Sequence, residues 1–308
     1  MLRWVKNNQA PAETEKKGFT IIEVMLVLAV AAMLFIAVLG GAFSNIATQR
    51  FNDAIRGFAE FLRQNYSEAI SPESIGTAEA DDLNLGYSEH YAIYGKVLFF
   101  GLSNEDKVAR SDEQDTIYSV TLVGDVHPTQ ASRGFITDLQ NAHVSLYCGD
   151  GNTGGVSTLS SFNPDWQTKI MMANDEETGA RSEHQFQGMI IIARSPTSGV
   201  VHTAYAKADP AEYASLKDDI AALKANANNN NFCYVDESGS YTSANTYFQK
   251  VLALPEEASD EFKFKTTEDV SFCLKSEANR LLREVRLIAD GHNTSAVSII
   301  DDAEDKCE

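Results

Sequence analysis

Residues 16–23 read Lys16-Lys17-Gly18-Phe19-Thr20-Ile21-Ile22-Glu23, and Val24 to Phe43 continue as VMLVLAVAAMLFIAVLGGAF. The second part is twenty residues without a charge. As a helix rising about 1.5 Å per residue it spans about 30 Å, the thickness of one bilayer core. Lys16 and Lys17 stand just before it, which puts the N-terminus in the cytoplasm and everything after Ser44 on the other side. A conventional secretory signal has a shorter apolar stretch of about 7–15 residues. Here the basic pair abuts a Gly-Phe step, and a glutamate follows.

Glu23 interrupts the apolar run. A charged side chain at the centre of a bilayer costs about 2.5–3.5 kcal/mol on the insertion scale, so something should offset it. If the chain is cut after Gly18, Phe19 becomes a new N-terminus bearing a positive amine, one helical turn from Glu23. The Phe19 amine of a neighbouring copy can then pair with Glu23 as helices pack side by side. An unpaired buried charge is costly, so the pair sets the axial stagger of the copies.

The run Lys16-Lys17-Gly18-Phe19-Thr20-Ile21-Ile22-Glu23-Val24-Met25-Leu26 resembles the class III signal of type IV prepilins and type II secretion pseudopilins. The resemblance implies cleavage after Gly18 by a prepilin peptidase, with Lys16 and Lys17 in the recognised leader. It implies methylation of the new N-terminal Phe19, and a role for Glu23 in recruiting and registering subunits. The implied partners are other pilin subunits, the peptidase, an inner-membrane assembly platform and the membrane itself. The implied location is a single-pass precursor in the cytoplasmic membrane and, after assembly, an extracellular or periplasmic filament. Gly40-Gly41 depart from the family pattern, which often has a helix-breaking proline there; glycine also weakens a helix.

Downstream, Ile46, Phe51, Ile55, Phe58, Leu62 and Tyr66 recur mostly at steps of three or four, with Arg50, Asp53, Arg56, Glu60 and Arg63 between them. This predicts an amphipathic helix from Ser44 to Ile70, closed by Pro72, whose apolar stripe serves as a core face. The segmentation is then a leader at 1–18, a transmembrane and filament-core helix at 19–43 and an amphipathic continuation at 44–70. A β-rich head at 71–308 carries a helical insertion at 207–231. Strand-like runs at 91–94 and 97–100 flank Gly95-Lys96 as a candidate hairpin turn. Further strands are expected at 116–123, 142–148, 189–194, 200–205, 281–288 and 296–300. In the insertion, Asp209-Pro210-Ala211-Glu212 reads as a helix start, and Tyr213, Leu216, Ile220 and Leu223 form one face. The expected fold class is α+β: a long N-terminal helix packed on an antiparallel sheet. The order of elements, the stretch 62–70 and Phe272-Cys273-Leu274 also resemble minor pseudopilins.

The formal net charge is −19; the first 18 residues carry +2, which leaves −21 (−19 less +2) for the remainder. Such an acidic body repels nucleic acid at long range, and no nucleic-acid partner is expected. Arg280, Arg283 and Arg286 form the one notable basic cluster outside the leader, with Glu277 and Glu284 beside it. Cys148, Cys233, Cys273 and Cys307 are separated by 85, 40 and 34 residues, which excludes a short-spaced zinc site. An even number, all beyond the apolar run, fits two disulfides in an oxidising compartment. Three connectivities remain open, of which Cys273–Cys307 with Cys148–Cys233 is favoured.

Gly149-Asp150-Gly151-Asn152-Thr153-Gly154 matches GxGxxG, but the following residues make a poor helix and Asp150 opposes a phosphate. That loop, or Asp301, Asp302, Glu304 and Asp305, offers oxygen ligands for calcium without full EF-hand spacing. No other cofactor is expected. The six histidines are scattered, and HExxH and GxSxG are absent, so the chain reads as a non-enzyme. The leading expectation is a structural subunit, more a minor than a major pilin because the head is large. The alternatives are a type II secretion pseudopilin, and a membrane-anchored binding protein or hydrolase that shares only the signal.

Overall fold

A computed structural model describes residues 18–70, 91–100, 116–125, 135–142, 144–147, 159–164, 168–172, 186–195, 198–208, 216, 220, 248, 252, 265–267, 269–276, 281–288, 296–301 and 307. The chain forms two compact units, Met1–Ala47 and Thr48–Glu308. Helix α1 runs over Ile21–Ile70. No proline lies between Pro11 and Pro72, so nothing removes a helical N–H along its length. Helix continues through Gly40-Gly41 although each glycine costs about 1 kcal/mol relative to alanine.

The second unit holds two sheets, antiparallel in every pairing among the described residues. The first has seven strands in the order β3-β2-β1-β6-β7-β8, with β4 also on β2. These are β1 (Tyr91–Phe100), β2 (Ile117–Asp125), β3 (Ser145–Tyr147), β4 (Ser160–Phe162), β6 (Gly188–Arg194), β7 (Val201–Lys207) and β8 (Lys265–Thr267). The second has four strands, β11-β10-β9-β5. They are β5 (Thr168–Met172), β9 (Asp269–Ser276), β10 (Leu282–Ile288) and β11 (Val297–Ile300). A short helix, α2, spans Phe135–Asn141.

Strand alternation sends the first sheet's side chains into two separate cores. Leu98, Phe100, Ile117, Ile190, Ile192, Val201 and Tyr205 face one core, where Phe51, Ile55, Phe58, Leu62 and Tyr66 of α1 also pack. Val270, Phe272, Leu274, Val285 and Leu287 of the second sheet close the same core. On the other face, Val97, Phe99, Val120, Leu122, Ile191 and Ala204 meet Phe135, Ile136 and Leu139 of α2. Leu216, Ile220, Phe248 and Leu252 join this second core. Covering on both faces explains why β6 reads as the near-continuous apolar run MIIIA rather than an alternating one.

The α+β class and the long helix with an antiparallel sheet are as the sequence implies. The hairpins β6–β7 and β10–β11 are present as antiparallel pairs. The expected turn at Gly95-Lys96 is not. Tyr91 to Phe100 are one strand, irregular in register between Ile93 and Gly95, paired with β2 on one side and β6 on the other. A Cβ on Gly95 would lie 2.0 Å from the Ile192 carbonyl oxygen, so glycine here permits close backbone approach rather than a turn. The strand expected at 142–148 is only Ser145–Tyr147, because Ala142 belongs to the end of α2. Strands β4, β5, β8 and β9 fall where no strand was expected. Of the insertion at 207–231, residues 207, 208, 216 and 220 are described: Leu216 and Ile220 are helical and buried on their own sheet. Its other residues, and the loop 149–154, lie outside the described residues.

Phe58 is fully buried, with its ring edge-on to Phe272 at 5.3 Å and tilted against Phe162 at 5.8 Å. Phe58→Ala is expected to cost about 3–5 kcal/mol of head stability. Urea unfolding of the full chain in detergent tests this; a loss below about 1 kcal/mol would contradict this placement of the core.

Candidate functional site

The N-terminal unit is organised by where α1 begins. Gly18, Phe19 and Thr20 are not helical, and the helix starts at Ile21. The Thr20 hydroxyl accepts the Glu23 backbone N–H at 3.2 Å, and the Thr20 carbonyl accepts the Val24 N–H at 3.1 Å. Thr20 is therefore the N-cap and Glu23 the third residue of the first turn, the S/T-x-x-E spacing of a capping box. A carboxylate at that position also meets the positive end of the helix dipole. Phe19 is 80% exposed and Gly18 has open space around it, so the Gly18–Phe19 bond is accessible backbone immediately outside the capped helix. Lys16 and Lys17 lie outside the described residues.

From Phe19 to Phe43 every large apolar side chain of α1 is exposed, and none of its most apolar window is buried within the chain. The helix is long and apolar enough to cross a membrane. An apolar surface of this length on all sides of a helix needs lipid or other apolar helices around it. Glu23 is the single acid of the first turn. Its carboxylate has no ion pair with any described residue.

Three residue types of a hydrolytic triad do meet in the head, but in an arrangement that does not activate a nucleophile. The Ser195 hydroxyl donates directly to Asp138 Oδ2 at 2.8 Å and accepts the Ser198 N–H at 3.2 Å. Its proton is thus committed to a carboxylate rather than offered to an imidazole, and Ser195 is buried. His202 lies alongside, its ring 4.9 Å from that of Phe135. Burial lowers its pKa from the ordinary histidine value, and the nearby Asp138 carboxylate offsets part of that shift. The cluster fastens the β6–β7 hairpin to α2.

The basic cluster is largely neutralised. Arg283 pairs with Asp301 at 3.0 Å, and Arg286 with Glu284 at 2.9 Å. Glu284 is 1% exposed and also accepts the Ser271 hydroxyl at 2.7 Å. Arg280 lies outside the described residues. Cys273 of β9 is joined to Cys307, with 5.6 Å between their Cα atoms. The closed loop of 34 residues corresponds to about 4 kcal/mol on the chain-entropy account. Cys148 and Cys233 lie outside the described residues, as do Asp302, Glu304 and Asp305. Among the described residues no three His, Cys, Asp or Glu side chains gather as a metal site.

Residues 15–39 match the family described as the prokaryotic N-terminal methylation motif. This is the class III signal characteristic of type IV pilins and pseudopilins, and it includes Lys16, Lys17, Gly18, Phe19 and Glu23. The signal implies processing by a prepilin peptidase and assembly with other pilins, and it fits a membrane-anchored precursor with a structural rather than enzymatic role. No curated protein and no solved structure matches the chain.

His202 contributes a pH dependence to stability. Its folded pKa lies below its unfolded one, so between the two the unfolded chain holds more protons. The stability it contributes is complete above about pH 6.5 and falls as pH drops from there through the folded pKa. Melting temperatures recorded from pH 7.5 to 5 should decline less steeply for His202→Gln than for the parent chain. Identical slopes would remove His202 as the responsible group.

Proposed function

We propose that this chain is the membrane-inserted precursor of a structural subunit, a minor pilin, of a type IV pilus-like filament. The observation that carries the reading is the meeting of the methylation signal with a capped, uncovered apolar helix. The scissile Gly18–Phe19 bond lies just outside the cap, and Glu23 sits in the first turn. In this reading the basic leader stays cytoplasmic and is removed after Gly18. The new Phe19 amine is methylated and keeps its positive charge. The apolar helix then exchanges lipid for the helices of neighbouring subunits.

Glu23 supplies the register. In the precursor it lies near the membrane surface and the positive end of its own helix, where its charge is tolerated. In a filament core it is surrounded by apolar helices, and pairing with a neighbour's Phe19 amine offsets the desolvation. A subunit displaced along the axis leaves both charges buried and unpaired, at about 3–5 kcal/mol. The acidic, sheet-rich head stays outside that core. Its size supports a minor rather than a repeating major subunit.

Mass spectrometry of the N-terminal peptide from membrane and sheared-surface fractions should find a chain beginning at Phe19 and heavier by one methyl group. A mature chain still beginning at Met1, or cut beyond Ala42, would instead mean a plain anchor or a conventional signal. Glu23→Ala should insert into the membrane normally yet be lost from filaments; normal assembly of that variant would remove the registry role.

A further inference from the structure

The helix–sheet contact in the head contains a buried polar seam within an otherwise apolar surface. Asn65 is 2% exposed; its amide nitrogen donates to the Phe61 carbonyl at 2.7 Å, and its Oδ1 accepts the Ser119 hydroxyl. One turn on, Glu68 pairs with Lys96 Nζ at 2.7 Å. Lys96 is 7% exposed and donates also to the Thr121 hydroxyl at 3.0 Å. Lys96 stands opposite Thr121, and Leu98 opposite Ser119, in the β1–β2 register, so the three polar side chains share the face turned to α1. Two residues before Asn65, Arg63 donates to the Val297 carbonyl of β11 at 3.2 Å. The last two turns of α1 thus reach both sheets through polar groups.

The apolar stripe by itself specifies the axial position of α1 weakly. Phe51, Ile55, Phe58, Leu62 and Tyr66 repeat at steps of three or four, so a slide of one turn replaces each large side chain with another. The polar seam does not tolerate that slide. Displaced by about 5.4 Å, Asn65 and Glu68 would miss Ser119 and Lys96, leaving a buried ammonium without its counter-charge and a buried hydroxyl without its acceptor, which is strongly unfavourable.

We propose that Asn65, Glu68, Lys96, Ser119 and Thr121 form a register lock. It holds the head on α1 in one axial and rotational setting, and its contribution is to uniqueness rather than to stability. The inference concerns the head alone and stands whether or not the chain enters a filament. Buried polar groups of this kind are often replaceable by apolar residues without loss of stability, which gives the test its form.

The seam is made apolar in the full chain, in detergent, by Asn65→Leu, Glu68→Met, Lys96→Met, Ser119→Ala and Thr121→Val together. Isoleucine methyl NMR then reads the register. Ile55, Ile117, Ile190 and Ile192 line the core shared with α1, while Ile136 and Ile191 lie in the opposite core and act as internal controls. A register lock predicts an unchanged or raised melting temperature, with split or broadened signals for the first four and single signals for the controls. Single signals at all six positions would overturn the proposal. So would a lowered melting temperature, or loss of cooperative melting, with all six signals affected alike, since the seam would then contribute stability rather than register.

Discussion

One helix must satisfy two solvents, and the rest of the molecule is arranged around that demand. From Ile21 to Phe43, α1 presents apolar side chains on every side, and all the large ones are exposed. Water does not stabilise such a surface; lipid or other apolar helices do. From Thr48 onward the same helix carries a single apolar stripe, because there it has a sheet to pack against and water on its remaining side. The change of pattern falls where the chain divides into its two compact units. Glu23 is intelligible only within the first of these environments. It is an exposed first-turn acid in the isolated chain, and a charge in need of a partner once apolar helices surround it.

The head answers a different problem, that of a sheet with both faces occupied. One face takes α1 and the second sheet; the other takes α2 and residues of the insertion. The result is two cores separated by a single sheet, which explains the size of the domain and the apolar character of β6. Two buried acids of the head are each held by local polar partners. Glu284 is sealed with Arg286 and Ser271, and the Ser195–Asp138 bond ties a hairpin to α2. Each satisfies a buried acid locally, as its burial demands. Neither arrangement supplies a reactive group.

Much of this was legible in the chain, and the misses have particular causes. The signal, the membrane-length helix and the amphipathic continuation rest on strong, long patterns. Strands β6, β7, β10 and β11 coincide with apolar runs expected at 189–194, 200–205, 281–288 and 296–300. Gly95 misled because a glycine between two apolar runs signals a turn, whereas here it admits the backbone of β6. Helix α2 was missed although Phe135, Ile136, Leu139 and Ala142 have helical spacing, because seven residues are too few for periodicity to stand out. Thr20 was passed over as a cap, yet the Thr-x-x-Glu spacing was there to be read. The polar seam had no signal at all: Asn65 and Ser119 are 54 residues apart, and nothing local announces that they meet.

The sequence by itself determined the properties that depend on local chemistry: the methylation signal, the uncovered apolar helix, the acid four residues after Phe19, and the α+β class. Each follows from residue types at short spacing, where helix geometry and solvation are enough. Only the tertiary structure decided that the strands form two sheets, that one sheet is buried on both faces, and that Lys96 is an interior cation rather than a turn residue. Those outcomes depend on which distant segments pair. Pairing is fixed by the joint packing of all of them rather than by any one stretch of chain.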